Sequence, residues 1–295
     1  MTDLQTKSLC LAVSFSRWGT SRKVDITPDA ETQADKTMLG VTKRLLEAPE
    51  VKAISAIDGD LKRWLSTRCV PFPLQRAVYL VPVPLLSAVQ AQIEDVVRRR
   101  AAAVDALAEA MPRLRSEAKL RLIDLYDESQ YPTGDDLRAK YDLRHAYVSF
   151  DVPGMLKDLD QSLFGREKEK AQERWKEASE EIRYAMREAF AELVGRLSER
   201  LTDGLDGKRK VFRDSAIGNL QEFIDSFAGR NLTDDAELAQ AVDDARRIVA
   251  GTDPKQLRKS DTVRARVGAE MAKVTAALDT MITARPSRRI SMEEE

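Results

Sequence analysis

Two short runs of basic residues are the strongest candidates for chemistry in this sequence of 295 residues. The six side chains are Arg98, Arg99, Arg100, Lys208, Arg209 and Lys210. Guanidinium and ammonium groups bind phosphate, so both runs are candidate contacts for nucleic acid. The whole chain has 48 basic and 49 acidic residues, and this balance gives no overall field that attracts a polyanion. The alternative is that these arginines pair with acidic residues of a facing helix.

The residue types that enzymes use for nucleophilic, acid–base or metal chemistry form no recognisable pattern. The single histidine, His145, begins a predicted strand and is far in sequence from Cys10 and Cys69. Both cysteines lie in apolar, strand-like segments, which predicts buried, reduced thiols. The sequence has no P-loop, no Gly-x-Ser-x-Gly, no His-Glu-x-x-His and no Cys-x-x-Cys. We therefore predict no catalytic residue, no metal site, no cofactor and no enzymatic activity.

A long amphipathic helix from Leu163 to Leu201 is the most regular element. Its apolar residues recur every three or four positions, and at 1.5 Å per residue it would be roughly 55–60 Å long. The segment Pro84 to Tyr126 has a similar apolar seam, so we expect the two helices to pair as an antiparallel stalk. Arg100 falls on that seam, and Pro112 predicts a kink in the helix. Each marks either a functional bend or local compensation by the opposing helix.

Short apolar segments predict a small antiparallel sheet. They are Ser8 to Trp18, Arg76 to Val81 and Ala146 to Phe150. The fold class is therefore α+β and predominantly helical, with a small antiparallel β-head, a long antiparallel, coiled-coil-like helical stalk and C-terminal helices. The predicted domains are 1–83 plus 127–154 for the head, 84–126 and 155–203 for the stalk, 204–283 for the C-terminal helices and 284–295 for a disordered tail.

The length of the predicted stalk suggests that it needs a protein partner. A second copy of the chain is one candidate, and the residues that would form the oligomer seam are Ile182, Met186, Leu193 and Leu197. No signal peptide and no run of 18 apolar residues is found. The sequence thus predicts a cytoplasmic protein that does not engage a membrane.

The N-terminal half resembles an uncharacterised family of bacterial and phage proteins, a domain of unknown function. The matching features are Ser14-Phe15-Ser16-Arg17-Trp18-Gly19, the run Leu39-Gly40-Val41-Thr42-Lys43-Arg44-Leu45, and an apolar strand from Val78 to Pro84 that leads into a long helix. The resemblance covers roughly residues 8 to 200. It implies an accessory protein found beside MoxR-type AAA+ ATPases and von Willebrand A partners, and it brings no catalytic residue.

Three functions follow as hypotheses. The first is a non-enzymatic accessory or adaptor protein of a phage or prophage system, partnering a MoxR-type AAA+ ATPase. The second is a homo-oligomeric structural scaffold. The third is a nucleic-acid-binding protein that uses the two basic runs.

Overall fold

The computed structural model describes residues 3–24, 35, 38–201, 214–250 and 260–283. The helices are α1 (Asp3–Lys7), α2 (Pro49–Arg68), α3 (Leu86–Leu122), α4 (Gly134–Lys140), α5 (Met155–Leu159), α6 (Gln161–Leu201), α7 (Asp214–Arg230), α8 (Ala236–Val249) and α9 (Asp261–Thr283). Within these residues, no helix is both long and apolar enough to cross a membrane. The structure confirms a predominantly helical α+β fold.

Six short strands are present in the described residues. They are β1 (Ser8–Phe15), β2 (Ser21–Val24), β3 (Val41–Arg44), β4 (Val70–Pro71), β5 (Val78–Pro82) and β6 (Leu143–Val148). One sheet has the strand order β4-β5-β1-β6, and β2 and β3 form a separate antiparallel pair. Val70 lies opposite Leu80 in the antiparallel pairing of β4 with β5. The strands predicted at Ser8 to Trp18 and Arg76 to Val81 are confirmed as β1 and β5. The strand predicted at Ala146 to Phe150 is displaced, because β6 begins three residues and ends two residues earlier, and the β2–β3 pair was not predicted.

Two compact units divide the chain. One consists of residues 1–10, 66–85 and 148–295, and the other of residues 11–65 and 86–147; we call them the α6 unit and the α3 unit. This division differs from the predicted head, stalk and C-terminal domains, because α3 and α6 belong to different units. The described C-terminal helices α7, α8 and α9 fall in the α6 unit, and the predicted domain bounds stay a prediction.

The α6 unit is organised around the apolar face of α6. Residues at steps of three and four along this helix are buried, from Ala171 to Leu201, and the helix packs mainly against α9 and also against α7. The Phe190 ring stacks on Phe223 of α7, with ring centroids 5.0 Å apart. At the end of α6, the Arg264 Nε donates to the Leu201 carbonyl at 3.0 Å. Arg264 therefore satisfies a terminal helix carbonyl that has no intrahelical donor.

The α3 unit has an apolar core built on α3, α4 and the segment around Leu45. Its buried members are Trp18, Leu45, Ala48, Ile54, Val104, Leu107, Ala108, Met111, Leu114, Ala118, Tyr131, Leu137 and Tyr141. The Tyr131 hydroxyl donates to the Leu45 carbonyl at 2.8 Å, and this bond joins the segment before α2 to the segment before α4.

α3 continues through Pro112, whose ring lies on the exposed side of the helix. The loss of one backbone donor there is tolerated within a continuous helix, and a kink at that point stays a prediction.

Candidate functional site

Two buried charged side chains, Asp58 of α2 and Arg100 of α3, meet the exposed Arg17, which follows the end of β1 in the α3 unit. The Asp58 carboxylate is 0% exposed and Arg100 is 3% exposed. Nε of Arg100 lies 2.8 Å from Oδ1 of Asp58, while Nε of Arg17 lies 2.9 Å from Oδ2. One carboxylate therefore faces two guanidinium groups, and the cluster carries one excess positive charge.

The sequence positions of Asp58 and Arg100 explain why the two meet. Asp58 lies between Ile54 and Leu61 on the buried face of α2, and Arg100 lies between Val96 and Val104 on the buried face of α3. A charged residue inside an apolar seam needs a partner, because burying an unpaired charge is costly. The ambiguity over Arg100 is thus resolved as local compensation by an opposing helix, and that helix is α2.

A cleft of about 230 Å³ opens beside this cluster. We call it the Arg100 cleft, and its lining includes Arg100, Val104, Asp105, Arg138, Tyr141 and Asp142. The Arg100 guanidinium carbon lies 5.7 Å from the centroid of the Tyr141 ring. Burial raises the pKa of the Tyr141 phenol, against the lowering effect of the Arg17 and Arg100 charges. The phenol is therefore neutral at physiological pH and can donate a hydrogen bond.

The first basic run does not form a single basic patch. Arg98 lies 3.2 Å from Asp95, and Arg99 lies 3.5 Å from the same carboxylate and 4.0 Å from Asp60 of α2. Arg100 points into the core. Ion pairing with acidic residues accounts for all three side chains, because consecutive residues of a helix face different directions. The second run, Lys208, Arg209 and Lys210, lies outside the described residues.

The chain's own helices occupy most of the predicted oligomer seam. Ile182, Met186 and Leu197 are 3%, 7% and 1% exposed, respectively, and Leu193 is half-buried. Residues of α6 that are buried in this way cannot also contact a second copy. Ile182, Met186 and Leu197 thus belong to the α6 core, and the sequence could not reveal this because it does not say which helix covers an apolar face.

A second buried ion cluster lies in the α6 unit. Arg187 binds the Asp235 carboxylate through two hydrogen bonds of 2.6 and 2.9 Å and donates to the Met281 carbonyl at 3.2 Å. Asp235 also accepts from the backbone N–H of Leu238 at 3.1 Å and so caps α8. Arg187 and Asp235 thus join α6, α8 and the end of α9, and the two side chains have a structural role.

The residues with potential for metal or thiol chemistry are one histidine and two cysteines. His145 is exposed on β6, whereas Cys10 and Cys69 are buried free thiols. Burial raises the pKa of Cys10 to about 11, helped by the nearby Asp151 charge. No group of three or more His, Cys, Asp or Glu side chains in the described ranges is placed to hold a metal ion.

β6 is an exposed strand of the sheet. It is the last strand in the order β4-β5-β1-β6, and all its residues from Arg144 to Val148 are exposed. Tyr147 and Val148 are 44% and 36% exposed. A strand that buries neither face is unusual, because edge strands normally pack at least one face on a core.

Comparison with known proteins gives no relative from which a function could be transferred. No family model matches the chain, and neither a curated protein nor a solved structure matches it.

The sequence analysis missed Asp58, Tyr141 and Asp235. Asp58 had a detectable signal, since it is an acidic residue at the spacing of the apolar face of α2, complementary to Arg100 on α3. Asp235 lies two residues after Thr233. Threonine and aspartate are both favoured at the position before a helix, so the sequence does not show which of the two caps α8. Tyr141 had no such signal, because its role depends on the packing of α4 beside α3.

Proposed function

We propose that this protein is a non-enzymatic accessory or adaptor protein of a phage or prophage system, and that its partner is a MoxR-type AAA+ ATPase. The observation that supports an adaptor is the exposed strand β6, which ends in the apolar pair Tyr147 and Val148. The resemblance of the N-terminal half to proteins found beside such ATPases supports the choice of partner.

Exposed strand edges bind extended segments of other chains. The backbone N–H and C=O groups of an edge strand template the addition of a further strand, and alternate side chains provide specificity. Soluble proteins usually protect such edges with lysine, proline or bulges. β6 has Arg144 near its beginning but no charged residue or proline from Ala146 to Val148. This half of the strand suits the addition of an apolar segment from a partner.

A tagged pull-down from the native cell, treated with nuclease and read by mass spectrometry, tests the proposal. We expect stoichiometric recovery of the AAA+ ATPase with the unsubstituted protein, and loss of the ATPase with Val148→Lys. The matched control is Leu120→Lys, which places the same charge at an exposed apolar position of α3 and should leave recovery unchanged.

Two outcomes would contradict the proposal. Recovery of the protein alone, with a mass above that of one chain, would favour a homo-oligomeric scaffold. Equal recovery of the ATPase with Val148→Lys and with the unsubstituted protein would show that β6 is not the contact surface. Circular dichroism of each variant confirms that the fold is retained.

A further inference from the structure

The backbone of β6 has one side that faces β1 and one side that faces the open edge of the sheet. Asp142 directly precedes β6 and meets Ser16, which directly follows β1. The Ser16 N–H donates to the Asp142 carbonyl at 2.8 Å, and the Asp142 N–H donates to the Ser16 hydroxyl at 2.9 Å. Since β6 is the neighbour of β1 in the sheet, the two strands run antiparallel from this pair. Both backbone groups of Asp142 therefore point toward β1.

The direction of the backbone groups alternates along an antiparallel strand. The N–H and C=O groups of Leu143 and His145 therefore point away from β1, whereas those of Arg144 point toward it. β6 is the last strand in the sheet order, and His145 is exposed. Outward N–H and C=O groups on an exposed last strand can pair with the backbone of one further extended segment.

The Arg100 cleft lies at the beginning of this edge. Leu143 lines the cleft together with Val97, Ala101 and Val104 of α3, and none of the described residues that line it belongs to β1. In an added strand, the residue directly opposite Leu143 points to the same side of the sheet as Leu143. The side chain of that residue would therefore lie beside Leu143, at the cleft.

The charges that line the cleft are balanced. The lining includes two arginines, Arg100 and Arg138, and two aspartates, Asp105 and Asp142. Arg138 binds Asp105, and Arg144 binds Asp142, at 2.6 Å in each pair. The cleft volume of about 230 Å³ is smaller than that of pockets for drug-sized ligands, which is roughly 300–1,000 Å³. The cleft thus suits one uncharged side chain.

We propose that an extended segment of the partner binds as a fifth strand on β6 and places one apolar side chain in the Arg100 cleft. The segment belongs to the AAA+ ATPase, so this inference rests on the proposed function. Its backbone pairs with the N–H and C=O groups of Leu143 and His145. Its anchoring side chain contacts Val97, Ala101 and Leu143.

Substitutions of His145 separate the backbone contribution from that of the side chain. His145→Pro removes the outward N–H, and proline is tolerated on an edge strand where no ladder hydrogen bond is lost. His145→Ala keeps this N–H and is the matched control. Isothermal titration calorimetry gives the affinity of each variant for the ATPase, and circular dichroism confirms folding. We expect His145→Pro to bind about tenfold more weakly or worse, and His145→Ala to bind like the unsubstituted protein.

Substitutions of two neighbouring alanines test the cleft. Ala101 is exposed and lines the cleft, so Ala101→Phe fills the cleft from its exposed side. Ala102→Phe adds the same ring at an exposed position that is not among the cleft residues. We expect Ala101→Phe to weaken ATPase binding about tenfold, because the apolar anchor is displaced, and Ala102→Phe to leave it unchanged.

Amide hydrogen exchange, followed by NMR, gives a readout on the unsubstituted protein. In the free protein, the His145 N–H should exchange faster than those of Arg144 and Ala146, which point toward β1. In the complex with the ATPase, exchange of the His145 N–H should become slower, because a strand that pairs with this edge protects it.

The outcomes distinguish this inference from the proposed function. Equal ATPase affinity of His145→Pro and His145→Ala, unchanged affinity of Ala101→Phe, or unchanged exchange of the His145 N–H in a complex that forms would overturn the inference alone. The absence of any complex with the unsubstituted protein would overturn both. A lower mass of the protein alone with His145→Pro would assign the edge to a second copy of the chain and would also overturn the inference.

Discussion

The Asp58 carboxylate accepts a hydrogen bond of 2.8 Å from Nε of Arg100, and both side chains are buried between α2 and α3. A buried ion pair contributes little net stability compared with apolar residues of the same size, but loss of one partner leaves an uncompensated buried charge. Asp58 therefore holds Arg100 in this core and also binds the exposed Arg17.

Substitution of Asp58 by alanine should destabilise the protein strongly. Removal of the carboxylate leaves Arg100 buried without a counter-charge, and we expect a loss of about 3–5 kcal/mol in the free energy of unfolding. The measurement is urea unfolding followed by circular dichroism. Asp60→Ala serves as the control, because Asp60 is an exposed residue of the same helix whose ion pairs should contribute less than about 1 kcal/mol. Equal losses in the two variants would refute the role of Asp58.

The acid stability of the protein should depend on Asp235. Burial acts to raise the pKa of this carboxyl group, but the hydrogen bonds from Arg187 and Leu238 and the charges of Arg187 and Arg183 outweigh burial and lower it. A pKa that is lower in the folded state stabilises the fold above the ordinary pKa of about 3.9. This stabilisation is lost as the pH falls from that value through the lowered, folded-state pKa.

Asp235→Asn should therefore be less stable at neutral pH and should show a weaker loss of stability on acidification. Urea unfolding at a series of pH values from neutral to acid measures both effects. Asp243→Asn, at an exposed position of α8, is the control and should retain the acid dependence of the unsubstituted protein. A parallel shift of the whole pH profile in Asp235→Asn, with unchanged slope, would contradict the predicted linkage.

The seam residues of α6 should behave as core residues. Leu197 is 1% exposed, so Leu197→Ala should cost about 2–5 kcal/mol of unfolding free energy. Leu193→Ala should cost less, because Leu193 is only half-buried. The loss at Leu197 should be the same at every protein concentration, as measured by urea unfolding. A midpoint that rises with concentration in the unsubstituted protein but not in Leu197→Ala would instead indicate an oligomer seam.

The two thiols should be unreactive in the folded protein. Burial raises the pKa of Cys10 to about 11 and that of Cys69 to about 12, and the thiolate is the reactive form. Ellman's reagent at mildly alkaline pH should therefore label neither cysteine until denaturant is added, and should label both afterwards. Rapid labelling of one thiol per native chain would show that a cysteine is accessible.

The local sequence was sufficient to predict most elements of the fold. The spacing of apolar residues from Ala171 to Leu201 identified α6 to within two residues of its observed start, since a helix face has a strong periodic signal. The apolar residues from Arg76 to Val81 similarly located β5. The β2–β3 pair was missed because each strand has only four residues, with polar residues at most positions.

Tertiary partners could not be predicted in the same way. The apolar face of α6 is compatible with any helix of matching length, and only the structure shows that α9 and α7 cover it. The residues that line the Arg100 cleft could not be predicted either, for the same reason. Arg100 was recognisable as an anomaly in the sequence, but Tyr141 lines the cleft through the packing of α4 beside α3, which no local pattern encodes.

The most direct test of the adaptor proposal is a measurement of complex formation between the purified protein and a MoxR-type AAA+ ATPase from the same cell. Size-exclusion chromatography with light scattering gives the mass of each species. The proposal predicts one peak whose mass equals the sum of both components, and separate peaks with Val148→Lys. Separate elution of the two unsubstituted proteins, with unchanged ATPase activity on mixing, would contradict it.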